Sequence, residues 1–203
     1  SSFFSPCTLF KIDTVGTILW GSQINPIPSE FIDVYEMIPS ETGGVYVLGF
    51  GMPTCDVGQD CYWFIQKFDS NGNLDWTNSW GNSTCFFSAS LTGLSLTANN
   101  ELIVNYVDSA ASSIVYTINS NGFLIDSVSV SPSQLNGFCE ITGYEFIAFK
   151  YDSIIAFDTA GNIVITKIFS SDIQNIRSLN DSLFVLTQDS IYIFDNNLIL
   201  LQG

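Results

Sequence analysis

The chain has 203 residues, enough to bury a sizeable core as one domain or two. Apolar residues make up 46 % of it and charged residues 12 %, which excludes an intrinsically disordered segment. Five basic residues stand against 20 acidic ones, a net charge of −15. Lys11, Lys67, Lys150, Lys167 and Arg177 are scattered singly, so nucleic acid and attraction to an anionic membrane are excluded, since both need clustered cations.

In chain order, the first element is a hairpin, with strands over residues 9–12 and 18–20 around Asp13-Thr14-Val15-Gly16. A polar connection over 21–30 leads to strands at 34–38 and 45–50, joined by Ser40-Glu41-Thr42-Gly43-Gly44. A long loop over 51–61 precedes a second hairpin, 65–76, turning at Asp69-Ser70-Asn71-Gly72. Strands at 91–96 and 102–106 are followed by a hairpin over 115–125 that turns at Asn119-Ser120-Asn121-Gly122. Strands at 138–141 and 146–149 lead to the hairpin at 155–165, turning at Asp158-Thr159-Ala160-Gly161. Strands at 173–179 and 183–186 lead to a last hairpin, 192–200, with Asp195-Asn196-Asn197. No segment has the 3.6-residue period of an amphipathic helix, and no apolar run exceeds strand length, so no transmembrane helix is expected.

The five hairpins are one repeat. Asp or Asn opens the turn and accepts from the backbone two residues on; Gly, three residues later, takes the positive φ that a type I turn with a bulge requires. The fifth copy lacks the Gly, and Asn197 is the residue expected to enter the left-handed region. The opening residues stand at 13, 69, 119, 158 and 195, with gaps of 56, 50, 39 and 37. Two further strands fill each gap, so the unit is four antiparallel strands, A to D. Four-stranded units at this spacing predict an all-β propeller, with an up-and-down barrel or a sandwich as the competing all-β folds. The string Lys67-Phe68-Asp69-Ser70-Asn71-Gly72-Asn73-Leu74-Asp75-Trp76 resembles the Asp-x-x-Gly-x-x-x-Trp repeats of secreted bacterial β-propellers of the SBBP type. It is more distantly similar to the quinoprotein-like repeats of outer-membrane assembly propellers. The resemblance spans nearly the whole chain, and its motif is structural, carrying no catalytic residue.

The phase gives strands C and D of a half blade over 7–24, then complete blades over 31–81, 87–131, 137–170 and 173–202. An unmatched C–D pair implies a partial ring, continued by blades or a C-terminal secretion domain outside residues 1–203; closure as a small five-bladed ring is the alternative.

B–C and D–A connections share the end of the blades opposite the uniform hairpins, and they vary in length. Variable loops on a rigid scaffold carry binding. Asp56, Gln59, Asp60, Tyr62, Trp63, Trp80, Phe86 and Phe87 lie in or beside the longest of them and are the candidate contacts. All five cysteines are assigned to this end, with Cys7 left unassigned to a partner. Cys55 and Cys61 bracket a polar loop, which fits a disulfide and an oxidising compartment better than zinc, since His is absent; unpaired thiols are the competing reading. A Cys85–Cys139 bridge between adjacent blades is a further option. Asp56, Asp60, Asp108, Asp152 and Asp189 fall at the same end, but no dense Asp-x-Asp-x-Asp loop occurs, so no metal is assigned and Ca²⁺ is only a weak option. Asp-Ser or Asp-Thr before a small apolar residue recurs at Thr14, Ser109, Ser127, Ser153, Thr159, Ser182 and Ser190. That pattern resembles the O-glycosylation signal of bacteria that use type IX secretion, while turn chemistry favours the same dipeptides. Asn82 and Asn180 begin N-glycosylation sequons.

With no His, triads and dyads that use it are excluded. No phosphate loop is present, the spacing of Asp69 and Trp76 is not that of a sialidase Asp-box, and no carboxylate pair stands out for glycoside chemistry. The expected function is therefore non-enzymatic: a secreted or cell-surface binding or scaffold module for protein or glycan. The alternative is an extracellular lyase or glycosidase whose site is completed by residues outside this segment.

Overall fold

The computed structural model describes residues 7–25, 31–52, 60–84, 90–97, 99–107, 113–131 and 135–203, with backbone alone at 31, 52, 60–61, 80–84 and 90–92. Every regular element among them is a strand. The chain forms two compact units, residues 1–87 and 88–203. In the first, β1 (Cys7–Ile12) and β2 (Ile18–Ile24) make a two-stranded sheet. Beside it, β3 (Phe31–Pro39), β4 (Val45–Met52), β5 (Asp60–Phe68) and β6 (Leu74–Thr84) make an antiparallel four-stranded sheet in sequential order.

The second unit repeats that sheet three times. Its strands are β7 (Ser90–Leu96), β8 (Leu102–Val107), β9 (Ser113–Ile118) and β10 (Leu124–Val130); then β11 (Asn136–Ile141), β12 (Tyr144–Lys150), β13 (Ser153–Phe157) and β14 (Ile163–Ile168). The last sheet is β15 (Ile173–Leu179), β16 (Ser182–Thr187), β17 (Ile191–Phe194) and β18 (Leu200–Gln202). These are the blades of a β-propeller: four complete and one C–D half, in the predicted phase.

Burial follows strand position. In the second unit the A strand β11 lies against both β7 and β15, so A strands are innermost. The D strands are outermost and mostly exposed, as in β14 and β18. Apolar side chains from facing blades interdigitate. Ile103, Val115 and Val130 of one blade meet Phe138, Phe146 and Phe157 of the next, with the rings of Phe146 and Phe157 stacked at 4.8 Å. Ile154 and Ala156 of that blade in turn meet Ile173, Val185 and Phe194. Each such ring removed from water is worth about 1.5–3 kcal/mol. The position just before the opening Asp or Asn is the clearest marker of this core. Phe68, Ile118, Phe157 and Phe194 are all 5 % exposed or less, whereas Ile12 of the half blade is 61 % exposed.

The hairpin turns lock neighbouring blades together. Gly72 (φ +84) packs so closely on the preceding D strand that a Cβ there would lie 2.7 Å from the Trp20 ring. Trp20 Nε1 donates to the Ser70 carbonyl at 2.8 Å, Ser22 Oγ donates to the Gly72 carbonyl, and Lys11 Nζ donates to the Gly43 carbonyl at 2.9 Å. Gly161 (φ +77) repeats the contact, with a Cβ 2.4 Å from Val128 Cγ1. The fifth turn departs from the expectation. Leu198, not Asn197, takes the positive φ, at +58. Leu198 stands at the Gly position of the repeat, and its side chain, 1 % exposed, joins a core cluster with Ile154, Ala156 and Ile165. Burial of a whole Leu side chain offsets the left-handed backbone, which costs roughly 1–2 kcal/mol for a residue with a Cβ.

Candidate functional site

The hairpin end is consumed by structure. Asp13, Asp69, Asn119, Asp158 and Asp195 each accept two backbone N–H bonds from their own turn, at 2.7–3.0 Å. The Thr17 N–H holds the Asp13 carboxyl below its usual range, and the side chain of the fourth turn residue, Asn73 or Asn162, does the same for Asp69 and Asp158. These carboxylates cap turns.

The opposite end holds the loops. In the first unit β4 stops at Met52 and β5 starts at Asp60, so residues 53–59 connect the two central strands. Of the residues expected to bind there, Asp56, Gln59, Phe86 and Phe87 lie outside the described residues, as do Cys55 and Cys85; Asp60, Cys61 and Trp80 are described by backbone only. Asp60 and Cys61 pair with Thr84 and Ser83, and Trp63 pairs with Trp80, so the loop's C-terminal root is the far end of the β5–β6 ladder. Tyr62 and Trp63 are corrected. They are 5 % and 8 % exposed because successive residues of a central strand point into opposite faces of the blade, both covered here. Tyr62 packs in the cluster that joins the half blade to its neighbour. Trp63 packs against Phe50 at 5.4 Å and Tyr35 at 4.9 Å. Tyr35, which sequence reasoning missed, is 60 % exposed. It sits in a bulge where the register slips between Val34 and Glu36, and a bulge re-aims a side chain in just this way.

In the last two blades of the second unit the B–C connections are tight. Tyr151 and Asp152 alone join β12 to β13, with Tyr151 at φ +50 and its side chain 62 % exposed. The next D–A segment clamps this turn: Ile173 N donates to the Tyr151 carbonyl at 2.7 Å and Phe169 N to the Asp152 carbonyl at 2.8 Å. The corresponding turn of the last blade is held by Asp189, which accepts from Ser171 Oγ at 2.9 Å and Thr187 Oγ1 at 3.0 Å. Those hydroxyls, Ser171 first, hold the Asp189 carboxyl below its usual range. Tyr151 was legible only as the tip of the shortest connection between two apolar runs.

The cysteines divide. Cys7 and Cys139 are free thiols. Cys139 is not at the loop end but within β11, opposite Ile147, and its burial among Ile147, Phe149, Ile154 and Ile173 pushes the thiol up to about 12. Among the described residues no group of three or more His, Cys, Asp or Glu is placed to hold a metal ion, and no helix is long and apolar enough to cross a membrane. Asp108 and Ser109 lie outside the described residues. The remaining Asp-Ser and Asp-Thr hydroxyls are divided too. Thr14, Ser127 and Thr159 are exposed, whereas Ser153, Ser182 and Ser190 are half-buried, Ser153 donating to Asp152 at 2.8 Å.

No family model matches the chain, and no curated protein matches it. Solved structures do, and they are β-propeller proteins. The chain is similar to a protein of unknown function from Bacteroides caccae, with a TM-score of 0.64 at 8 % identity over 98 % of this chain and 72 % of that one. It is similar to a gluconolactonase from Xanthomonas campestris, with a TM-score of 0.57 at 13 % identity over 91 % of this chain and 63 % of that one. It is also similar to the Pan2 WD40 domain of Neurospora crassa, with a TM-score of 0.53 at 10 % identity over 83 % and 64 %. The chain thus spans less than two thirds of the latter two. At these identities the likeness establishes the fold. It also corrects one expectation: a gluconolactonase shares this architecture, so the missing motifs give no ground for excluding an enzyme.

Proposed function

We propose that this protein is a secreted or cell-surface propeller that binds a protein or glycan partner through the loop end of its blades. The supporting observation is the contrast between the two ends. One end spends its carboxylates on turn caps and its glycines on blade contacts. The other carries the connections of unequal length, from two residues at Tyr151–Asp152 to the long loop after Met52. The extracellular assignment rests on the Cys55–Cys61 loop as a disulfide and on Thr14, Ser127 and Thr159 as exposed glycosylation acceptors of the kind that type IX secretion cargo carries.

Replacing Asp56, Val57, Gly58 and Gln59 by Gly and Ser, with Cys55 and Cys61 kept, tests the reading. Binding on a glycan array, or to a cell-surface protein captured by the intact chain, is expected to fall while the melting temperature stays within a few degrees. Retention of every interaction would show that the face is wrongly chosen. A second reading, an extracellular propeller enzyme acting on a sugar derivative, draws support from the likeness to the Xanthomonas gluconolactonase. Absence of turnover of glucono-δ-lactone by the purified chain would remove that support.

A further inference from the structure

We propose that β14, the outer strand of the third complete blade, is a strand-addition site for a partner protein that offers an extended apolar segment with a Lys or Arg at each end. β14 pairs with β13, and no strand pairs with its other side among the described residues. An outer edge left unguarded is a template for another chain. The other three complete blades guard theirs. β6 and β10 carry exposed carboxylates, Asp75 and Asp126, and β18 has only three residues. β14 has six residues and no charge at an exposed position. Ile163 is 49 %, Val164 52 % and Ile168 75 % exposed, and Thr166 is exposed among them. The one charge on the strand is turned away from the edge: Lys167 is half-buried, and its Nζ lies 5.6 Å from the centre of the Phe194 ring in the next blade. The blade itself stands between two complete blades, with β11 against both β7 and β15.

Charge selects the partner. Asp152 and Asp158 flank β13, and each stands at one end of β14. Ser153, next to Asp152, pairs with Ile168, and Asp158 accepts from Asn162 Nδ2 at 3.1 Å, one residue before Ile163. A strand laid along β14 therefore runs between two carboxylates, roughly 20 Å apart at the rise of an extended chain. Its complement is apolar in the middle and cationic at both ends. This chain does not contain such a segment: its two basic residues nearest in sequence are Lys167 and Arg177, and its net charge of −15 opposes a second copy.

The probe is a labelled synthetic peptide of alternating Thr and Val, matched to β14 in length, with Lys at both ends; its counterpart has Glu at both ends. Binding to the purified protein is read by fluorescence anisotropy and by hydrogen exchange of the β14 amides. Val164→Lys and Ile168→Lys place a cation on the edge. Phe123→Lys, at a position 69 % exposed on a different blade, is the charge-matched control. Circular dichroism checks that the variants fold. The Lys-ended peptide is expected to protect the β14 amides. Its dissociation constant should rise by at least about tenfold in each folded edge variant and stay unchanged in Phe123→Lys. The Glu-ended peptide should bind the unaltered protein at least about tenfold more weakly, a comparison that decides the matter even where an edge variant does not fold. No binding, equal binding of the two peptides, or equal loss in Phe123→Lys overturns the proposal. So does protection of the β14 amides that rises with protein concentration in the absence of peptide, which would assign the edge to a second copy.

Discussion

At the scale of single residues, the turns separate two ways of holding a left-handed backbone. Gly161 adopts it without a Cβ, whereas Leu198 adopts it with a buried side chain. Leu198→Ala keeps the backbone cost and loses the packing, so a loss of about 2–4 kcal/mol in denaturant unfolding is expected. Leu198→Gly should be less damaging than Leu198→Ala by about 1 kcal/mol, the reverse of the usual order, because φ is +58 there. Equal or inverted effects would remove the strain argument. The capping carboxylates predict a pH dependence. Asp13, Asp69 and Asp158 have folded values below their ordinary 3.8, so their contribution is present above that value and is lost as pH falls through the lower folded one. Asn119 accepts the same two N–H bonds uncharged. A variant carrying Asp13→Asn, Asp69→Asn and Asp158→Asn should therefore still fold at pH 7, with a lower melting temperature because that contribution is gone, and show a flatter acid limb below about pH 4. An acid limb as steep as the parent's would refute the assignment.

At the scale of elements, the hairpins are docking devices whose importance depends on what lies opposite. Gly16 and Gly161 have similar positive φ, but nothing lies within 4 Å of a Cβ at Gly16, whereas one at Gly161 meets Val128 Cγ1 at 2.4 Å and the Ser129 carbonyl at 2.9 Å. Gly16→Ala should cost only the backbone term, about 1–2 kcal/mol, and Gly161→Ala clearly more. Pairing Gly161→Ala with Val128→Ala should restore part of the difference and no more, since the Ser129 carbonyl is backbone. Similar losses for the two glycine variants would show that the contact is unimportant. Strand order and phase were readable because apolar runs, Asp-x-x-Gly turns and their spacing all report local backbone geometry. Leu198 was not readable: choosing it over Asn197 depends on a pocket made by the preceding blade, a contact between residues far apart in sequence. The same reason hid the burial of Tyr62 and Trp63, since an aromatic beside a long loop looks identical whether its ring points outward or into a neighbour. Tyr35 depended on a register slip that composition does not encode.

At the scale of the molecule, the fold does not fix the chemistry. Propeller architecture is shared with a lactonase and a WD40 domain, so the scaffold alone selects neither catalysis nor binding. Within each unit, cohesion runs from blade to neighbouring blade through the cluster joining Leu9, Ile24 and Phe64 and through those built on Phe146 and Ile154.

The docking of Gly72 on Trp20, and of Gly161 on Val128, bears on how such a chain can change over time. These glycine contacts sit at the hairpin end, away from the B–C and D–A connections. A connection that is not clamped, as the Tyr151–Asp152 turn is by Phe169 and Ile173, can therefore lengthen or acquire new side chains without disturbing them, and a blade can be copied together with its hairpin and its outer strand as a joint. The presence of a two-residue connection at Tyr151–Asp152 and a long one after Met52 on the same repeating joint is what such modularity permits.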